Sequence, residues 1–516
     1  MAEKHQQRRK SNHYHLSFKI KKQQSKPEKL NAMKTIVFTD AYGIYYMYSF
    51  KKKKLIIINK DLFLLINRFL ALENKRKALY WFKKEINNDE IYKSSKRQFE
   101  FWEKNGYFDE KIINIDPVIL PNQIESNREN LTNITFELTQ KCNLKCEYCT
   151  NSDLYDKNKI FDDRELTFDK AKAVIDYIIR DNAFMRNSAG KRTVNIGFYG
   201  GEPLLKFDLL QEIVDYSNEL KSENLKFTYS ITTNGVLLHK YYEYLAKHDF
   251  FLTISLDGDR ECSSYRITHN GKESFDEVFK NIKLLQMKRP SYYESKVNFN
   301  SVLHNKNPLS KLIPFMKSNF GKASRCTPLV NIFINEKSSE KFLNMKAESQ
   351  NEWNYKGLNS RDIYKFNPDI KELIRFAEKF GGTSFESLNS FMNYNTNEIY
   401  IPTGSCLPFS NKLFVSADGL LYLCERIGYS FSLGYVNDEN KVIIDTDLLA
   451  KQISAIYTRQ MIKCEKCYNV YNCPSCIYQR RDRNCPFVGK DEMTKRFAAN
   501  INKIHHYRKK LKKQTL

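Results

Sequence analysis

Thr135-Phe-Glu-Leu-Thr-Gln-Lys-Cys-Asn-Leu-Lys-Cys-Glu-Tyr-Cys149 decides how the rest of the chain folds. A short apolar strand, Ile134 to Leu138, runs into a loop that carries Cys142, Cys146 and Cys149. Three thiolates at spacings x3 and x2 make a compact soft-metal cage with no fourth cysteine nearby. A tetrahedral structural zinc site wants four closed ligands, whereas an iron–sulfur cube held by three cysteines leaves one iron open. On spacing alone, a zinc knuckle that borrows a distant ligand and a three-cysteine cluster both remain.

Outward from this loop, residues 134–335 repeat strand then helix. The expected strands are Ile134–Leu138, Val194–Phe198, Lys226–Thr232, Phe251–Leu256, Lys296–Leu303 and Val330–Ile334, with amphipathic stretches such as Phe168–Arg180 and Leu209–Leu220 between them. Such alternation predicts parallel pairing through right-handed crossovers. Six units fit an α/β fold, a partial (β/α)6 TIM-like barrel, whose functional residues sit at the C-terminal ends of strands. The second strand ends in Gly197-Phe-Tyr-Gly-Gly-Glu-Pro-Leu204, where adjacent Gly200 and Gly201 permit close backbone approach. The third leads into Ser230-Ile-Thr-Thr-Asn-Gly235 and the fourth into Ser255-Leu-Asp-Gly258, with Ser264-Tyr-Arg-Ile267 following.

The C-x3-C-x2-C loop with Tyr148 before its last cysteine, one strand ahead of Gly-Gly-Glu-Pro, resembles the radical S-adenosylmethionine (SAM) enzymes. The resemblance implies a [4Fe-4S] cluster on Cys142, Cys146 and Cys149, whose open iron chelates the amino and carboxylate groups of SAM. Reductive cleavage then yields a 5′-deoxyadenosyl radical that abstracts hydrogen from the substrate. It also implies that Gly200, Gly201, Glu202 and Pro203 line the SAM site, with Glu202 accepting from the SAM ammonium, and that Ser255 contacts SAM. Arg266 occupies the place where relatives hold the SAM carboxylate, the plainer reading being a surface ion pair. Thr232 and Asn234 are further candidates, although Thr-Asn-Gly is also an ordinary turn. Asp257 reads as a turn-shaping residue, and Cys262 and Cys326 as free thiols.

A second cysteine set begins at Cys406. Twelve residues, Gly419 and four more lead to Cys424, then come Cys464-x2-Cys467-x5-Cys473-x2-Cys476 and Cys485. Residues 413–423 read as a hairpin with an Asp-Gly turn that presents Cys424. The pattern resembles the SPASM domain of peptide- and protein-modifying radical SAM enzymes, with x2 where its quartet has x3. The resemblance implies one auxiliary [4Fe-4S] cluster on Cys464, Cys467, Cys473 and Cys485 and another on Cys406, Cys424 and Cys476. Residues 395–405 contain no further cysteine, so that second cluster is open at one iron, completed by another ligand, or absent. Zinc in the paired C-x2-C set is the alternative.

Twelve cysteines, ten of them at metal-ligand spacing, argue for metal over disulfides in a chain without an export signal. No run of 18 apolar residues and no signal h-region occur, so the expectation is a cytoplasmic protein with no membrane partner. The net charge of +24 is spread among lysines along the chain, with denser runs only at the ends. That pattern reads as solvated tails, and nucleic acid is not an expected partner. Residues 1–33 are expected to be a basic disordered tail, 34–125 a winged-helix-like peptide-recognition module and 130–335 the catalytic core. A bridging region follows at 336–400, the cysteine-rich domain at 401–490 and a basic helix or tail at 491–516. Three short strands and three helices between residues 35 and 104 suit an element that binds an extended leader peptide at a sheet edge, or one that only packs on the core. The function implied is a maturase of ribosomally made precursor peptides that installs a thioether or carbon–carbon crosslink, with flavodoxin or ferredoxin as reductant. An anaerobic sulfatase-maturating enzyme that forms formylglycine is the second reading. An iron–sulfur scaffold or electron carrier is the third.

Overall fold

The computed structural model describes residues 33–111, 118–155, 163–179, 192–330, 334–346, 373–377, 380, 406–427, 431–470, 473, 475–479, 485 and 487–514. The expected tail before Met33 and most of the bridging region lie outside them. Three strands come first: β1 (Ile36–Thr39), β2 (Tyr45–Ser49) and β3 (Lys54–Ile58), an antiparallel sheet in that order. Three helices follow, Lys60–Leu72, Lys75–Ile86 and Asp89–Lys104. Each begins where an asparagine, Asn59, Asn74 or Asn88, accepts a hydrogen bond from a first-turn N–H.

The pleat divides this small sheet between two cores. Val37, Met47 and Ile58 pack on the module's own helices with Leu62, Phe82 and Phe99. Ile36, Phe38, Tyr46 and Tyr48 instead pack on the C-terminal helix Lys490–Gln514, in one cluster with Cys464 and Cys467. Phe497 on that helix lies 4.5 Å from the Tyr48 ring, and Lys34 N donates to the Tyr468 hydroxyl at 3.1 Å. The N-terminal module thus sits directly on the second cysteine set.

The large sheet has ten strands. Its centre is the parallel run β4 (Asn133–Thr139), β5 (Arg192–Gly200), β6 (Leu225–Thr233), β7 (Phe251–Ser255), β8 (Val297–Leu303) and β9 (Ser324–Pro328), paired in chain order. This is the expected partial barrel, with one difference. The sixth strand lies at residues 324–328; of the expected 330–334, residues 331–333 lie outside the described residues. Beyond it, Leu329, Phe342 and Met345 pack on Tyr148 and Tyr155, and Ile334 makes an isolated bridge to Tyr155. The true strand is the last of its sheet and buries only one face, so its apolar signal is weak.

Alternation along the six strands separates two faces. Ile134, Ile196, Ile231, Leu252 and Phe299 lie on the helix-covered face, in one core with Val174, Ile213 and Met316. The opposite face is polar and reads in transverse rows: Thr135, Gly197 and Ser230; then Thr232, Thr253 and Asn298; then Ser255, Asn300 and Arg325.

On the far side of β4 the sheet continues through β10 (Leu413–Val415), β11 (Leu420–Tyr422), β12 (Gly434–Val436) and β13 (Val442–Ile443). β10 runs parallel to β4, with Leu413 level with Ile134, and turns at Asp418-Gly419 into antiparallel β11. Gly419, at φ +87, supplies the left-handed position of that turn. Cys424, two residues after β11, therefore lies at the start of β4, while Cys142 lies beyond its end. The seven residues of β4 separate the two by roughly 20 Å.

Candidate active site

The loop after β4 is fixed from two sides. On the first, the Gly-Gly-Glu backbone lies against it: Gly201 N donates to Thr139 O at 2.8 Å, and Glu202 N to Lys141 O at 2.9 Å. A Cβ on Gly200 would fall 2.3 Å from Thr139 O, and one on Gly201 2.2 Å from Lys141 O. Gly200 also holds φ +142. The two glycines are thus required by the cysteine loop itself.

Glu202 is fully buried. Its carboxylate accepts from Thr233 Oγ1 and Asn234 N, each at 2.7 Å, and from Leu204 N at 3.2 Å. Burial pushes its carboxyl up to about 6, against the pull of these donors. Asn234 extends the tie to the cysteines: its Nδ2 is 2.7 Å from Asn143 Oδ1 and 3.7 Å from Cys142 Sγ. Pro203 is buried and opens a short 3-10 turn to Lys206.

On the other side the loop pairs with residues 265–268. Lys145 N donates to Ile267 O at 2.6 Å and Glu147 N to Tyr265 O at 3.0 Å, with a bridge between Leu144 and Thr268. His269 Nε2 lies 2.8 Å from Cys142 O. Behind this pairing is a buried polar group. The Tyr148 hydroxyl donates to Asp257 Oδ2 and receives Arg266 Nη1 at 2.9 Å. The other Asp257 oxygen accepts Val302 N at 2.8 Å. His304, wholly buried, has Nε2 3.9 Å from Asp257 Oδ2. Burial opposes the Arg266 charge, but Tyr148, Cys146 and Asp257 more than offset it and raise the guanidinium pKa.

Glu202 and Arg266 are therefore engaged with protein partners that hold the loop. Thr232 and Ser255 are half-buried on the open polar face. Asp257 is a central part of this packing, more than the turn former its sequence suggested. Asn143, His269 and His304 were not singled out beforehand: nothing in their spacing marks them.

Residues 136–310 match the model of the radical SAM superfamily. These residues form a radical SAM domain, and the chain is an enzyme. It is 24% identical over 388 residues to the cysteine-type anaerobic sulfatase-maturating enzyme of Clostridium novyi, covering 72% of this chain and 96% of that one. It is 32% identical over 195 residues to the radical SAM cyclopropyl synthase TigE of Paramaledivibacter caminithermalis, covering 35% of this chain and 37% of TigE. Among solved structures, native anSMEcpe with bound AdoMet gives a TM-score of 0.47 at 17% identity, covering 72% of this chain and 96% of that one.

The three cysteines of this radical SAM domain fit its cofactors, a [4Fe-4S] cluster and SAM. Burial pushes the Cys142 thiol up to about 12 and Cys146 up to about 11. Buried thiols of this kind ionise only beside a compensating cation, which iron supplies. Among the described residues no three His, Cys, Asp or Glu side chains converge on a single-ion site.

In the C-terminal set, burial raises the Cys464 thiol, and its neighbours Cys485, Cys467 and Cys473 add to the rise. Burial likewise raises the Cys424 thiol, with Cys476 adding to it. No helix among the described residues is long and apolar enough to cross a membrane.

Proposed function

We propose that this radical SAM enzyme is a peptide maturase that captures a precursor through its N-terminal module and crosslinks it at the open face of the barrel. In this reading Cys142, Cys146 and Cys149 hold the cluster, and Thr232 and Ser255 line the bound SAM. Glu202, Asn234, Tyr148 and Arg266 keep the loop in place. The bound cluster and SAM supply a hydrogen-abstracting radical, and the protein supplies placement and exclusion of water. Cys406, Cys424 and Cys476 would hold one auxiliary cluster, and Cys464, Cys467, Cys473 and Cys485 the other. Flavodoxin or ferredoxin would deliver the electron.

The observation that carries the reading is the outer strand of the small sheet. Among the described residues β3 pairs with β2 alone, and it exposes Leu55 and Ile57, at 40% and 68%, on the face where β1 and β2 are covered by the C-terminal helix. An unpaired edge bearing apolar side chains is a template for an added strand. The sulfatase-maturase reading draws support from the Clostridium novyi relative, whose length this chain spans almost completely.

The test is incubation of reduced, cluster-replete enzyme with SAM and the short peptides encoded beside its gene, followed by tandem mass spectrometry. A maturase gives a loss of two hydrogens with a new bond between two residues. A product that reacts with a hydrazide reagent as an aldehyde, formed on a sulfatase peptide, selects the second reading and overturns the first.

A further inference from the structure

The open polar face is uneven in charge. On its C-terminal half, among the described strand residues, one cation stands out: Arg325 on β9. Ladder register puts it there beyond ambiguity, because Ser324 and Cys326 align with Phe299 and Ser301 of the helix-covered face, while Arg325 aligns with Asn300 and, one strand further, Ser255. The other cation on that face, Lys226, sits at the N-terminal start of β6 beside Thr193. Arg325 is exposed, and no ion pair joins it to another described residue. Glu137, the carboxylate on the same face, is buried on β4 and accepts Ala417 N at 3.1 Å.

The surroundings make a binding position of it. Asn298 and Asn300 on β8 and Thr327 on β9 share the face. The chain after β9 crosses to the cysteine loop, with Asn335 N donating to Leu154 O at 3.1 Å and Lys341 Nζ 2.8 Å from Glu147. The end of β9 therefore borders that loop. Adjacent strands lie about 4.8 Å apart, so the Arg325 backbone is roughly 10 Å from that of Ser255. A guanidinium stays charged at any accessible pH, and its planar fork matches a carboxylate. Such a two-pronged, charge-assisted pair is directional.

We infer that Arg325 is a specificity-determining residue that binds a carboxylate of the substrate peptide, an Asp or Glu side chain close to the modified residue. This rests on the peptide-maturase reading and adds to it the chemical class of residue that the barrel selects.

The test uses full-length, cluster-reconstituted enzyme with SAM on an array of 12-residue peptides in matched pairs, Asp against Asn and Glu against Gln. The wild type should hold the acidic member of the best pairs about tenfold more tightly. R325Q should lose most of that ratio, R325K should keep part of it, and R325E should turn the preference toward lysine-bearing peptides. Iron content and thermal midpoint must match the wild type, and R325K guards against a misfolded R325Q. The +24 chain attracts acidic peptides generally, but removing one charge barely alters that background.

An equal acid preference in wild type and R325Q overturns the assignment. So does the absence of any preference in the wild type, or a loss confined to SAM affinity. Capture of peptides without charge preference leaves the maturase reading standing. Failure to capture any peptide removes that reading and the assignment with it.

Discussion

The two cysteine regions lie at opposite ends of β4 and are held by different means. Cys142, Cys146 and Cys149 sit in a loop pinned by backbone hydrogen bonds to Gly201, Glu202, Tyr265 and Ile267, with Tyr148, Asp257 and Arg266 buried behind it. Cys424 hangs from a short hairpin, while Cys464 ends a helix, Cys467 follows three residues later, and both pack among Phe38, Tyr48 and Phe497. The first site is fixed by the barrel's own hydrogen bonds. The second is a set of chain ends gathered by apolar contact, which iron would complete.

That contrast can be broken or sharpened. The largest effect is expected from Cys146→Ala, which should lower 5′-deoxyadenosine release on the order of 1000-fold or more while the melting profile stays near that of the wild type. An active variant would mean the loop is not the cluster site. Removing iron with a chelator comes next. Hydrogen exchange should rise across residues 406–487, and β4–β8 should stay protected, because metal-ligand energy is folding energy where no core is preformed. Equal loss of protection in both regions would erase the distinction.

Gly201→Ala should cost about 2–4 kcal/mol in denaturant unfolding, since its methyl group would meet Lys141 O. Tyr148→Phe leaves buried Asp257 and Arg266 short of a partner and should cost about 1–3 kcal/mol. SAM cleavage should fall roughly tenfold with it. The smallest change is expected at Arg164→Ala, which removes a partly buried 2.7 Å ion pair to Asp418 between the barrel and the hairpin. Its stability cost should stay below about 1 kcal/mol, and a larger value would mean that the hairpin depends on that tie.

Much of this architecture was legible because β4–β8 each bury one apolar face, a signal that periodicity reads directly. β9 escaped because Ser324-Arg-Cys-Thr-Pro328 has almost no apolar face. The cysteine spacings and Gly-Gly-Glu-Pro gave residue types but not directions. Glu202 and Arg266 turn toward protein partners, and only register and burial reveal it. Asp257 and His304 are brought to Tyr148 from separate strand ends, which no local spacing encodes. The docking of Phe38 and Tyr48 on Phe497 joins segments more than 400 residues apart and leaves no periodic trace. Arg325 was hidden for the same reason as its strand.

The most direct measurement is electron paramagnetic resonance on anaerobically reconstituted, dithionite-reduced enzyme with and without SAM. A reduced-cluster signal that changes shape on adding SAM, and is absent from Cys146→Ala, is the expected result. A signal indifferent to SAM and unaltered by that substitution would contradict the account.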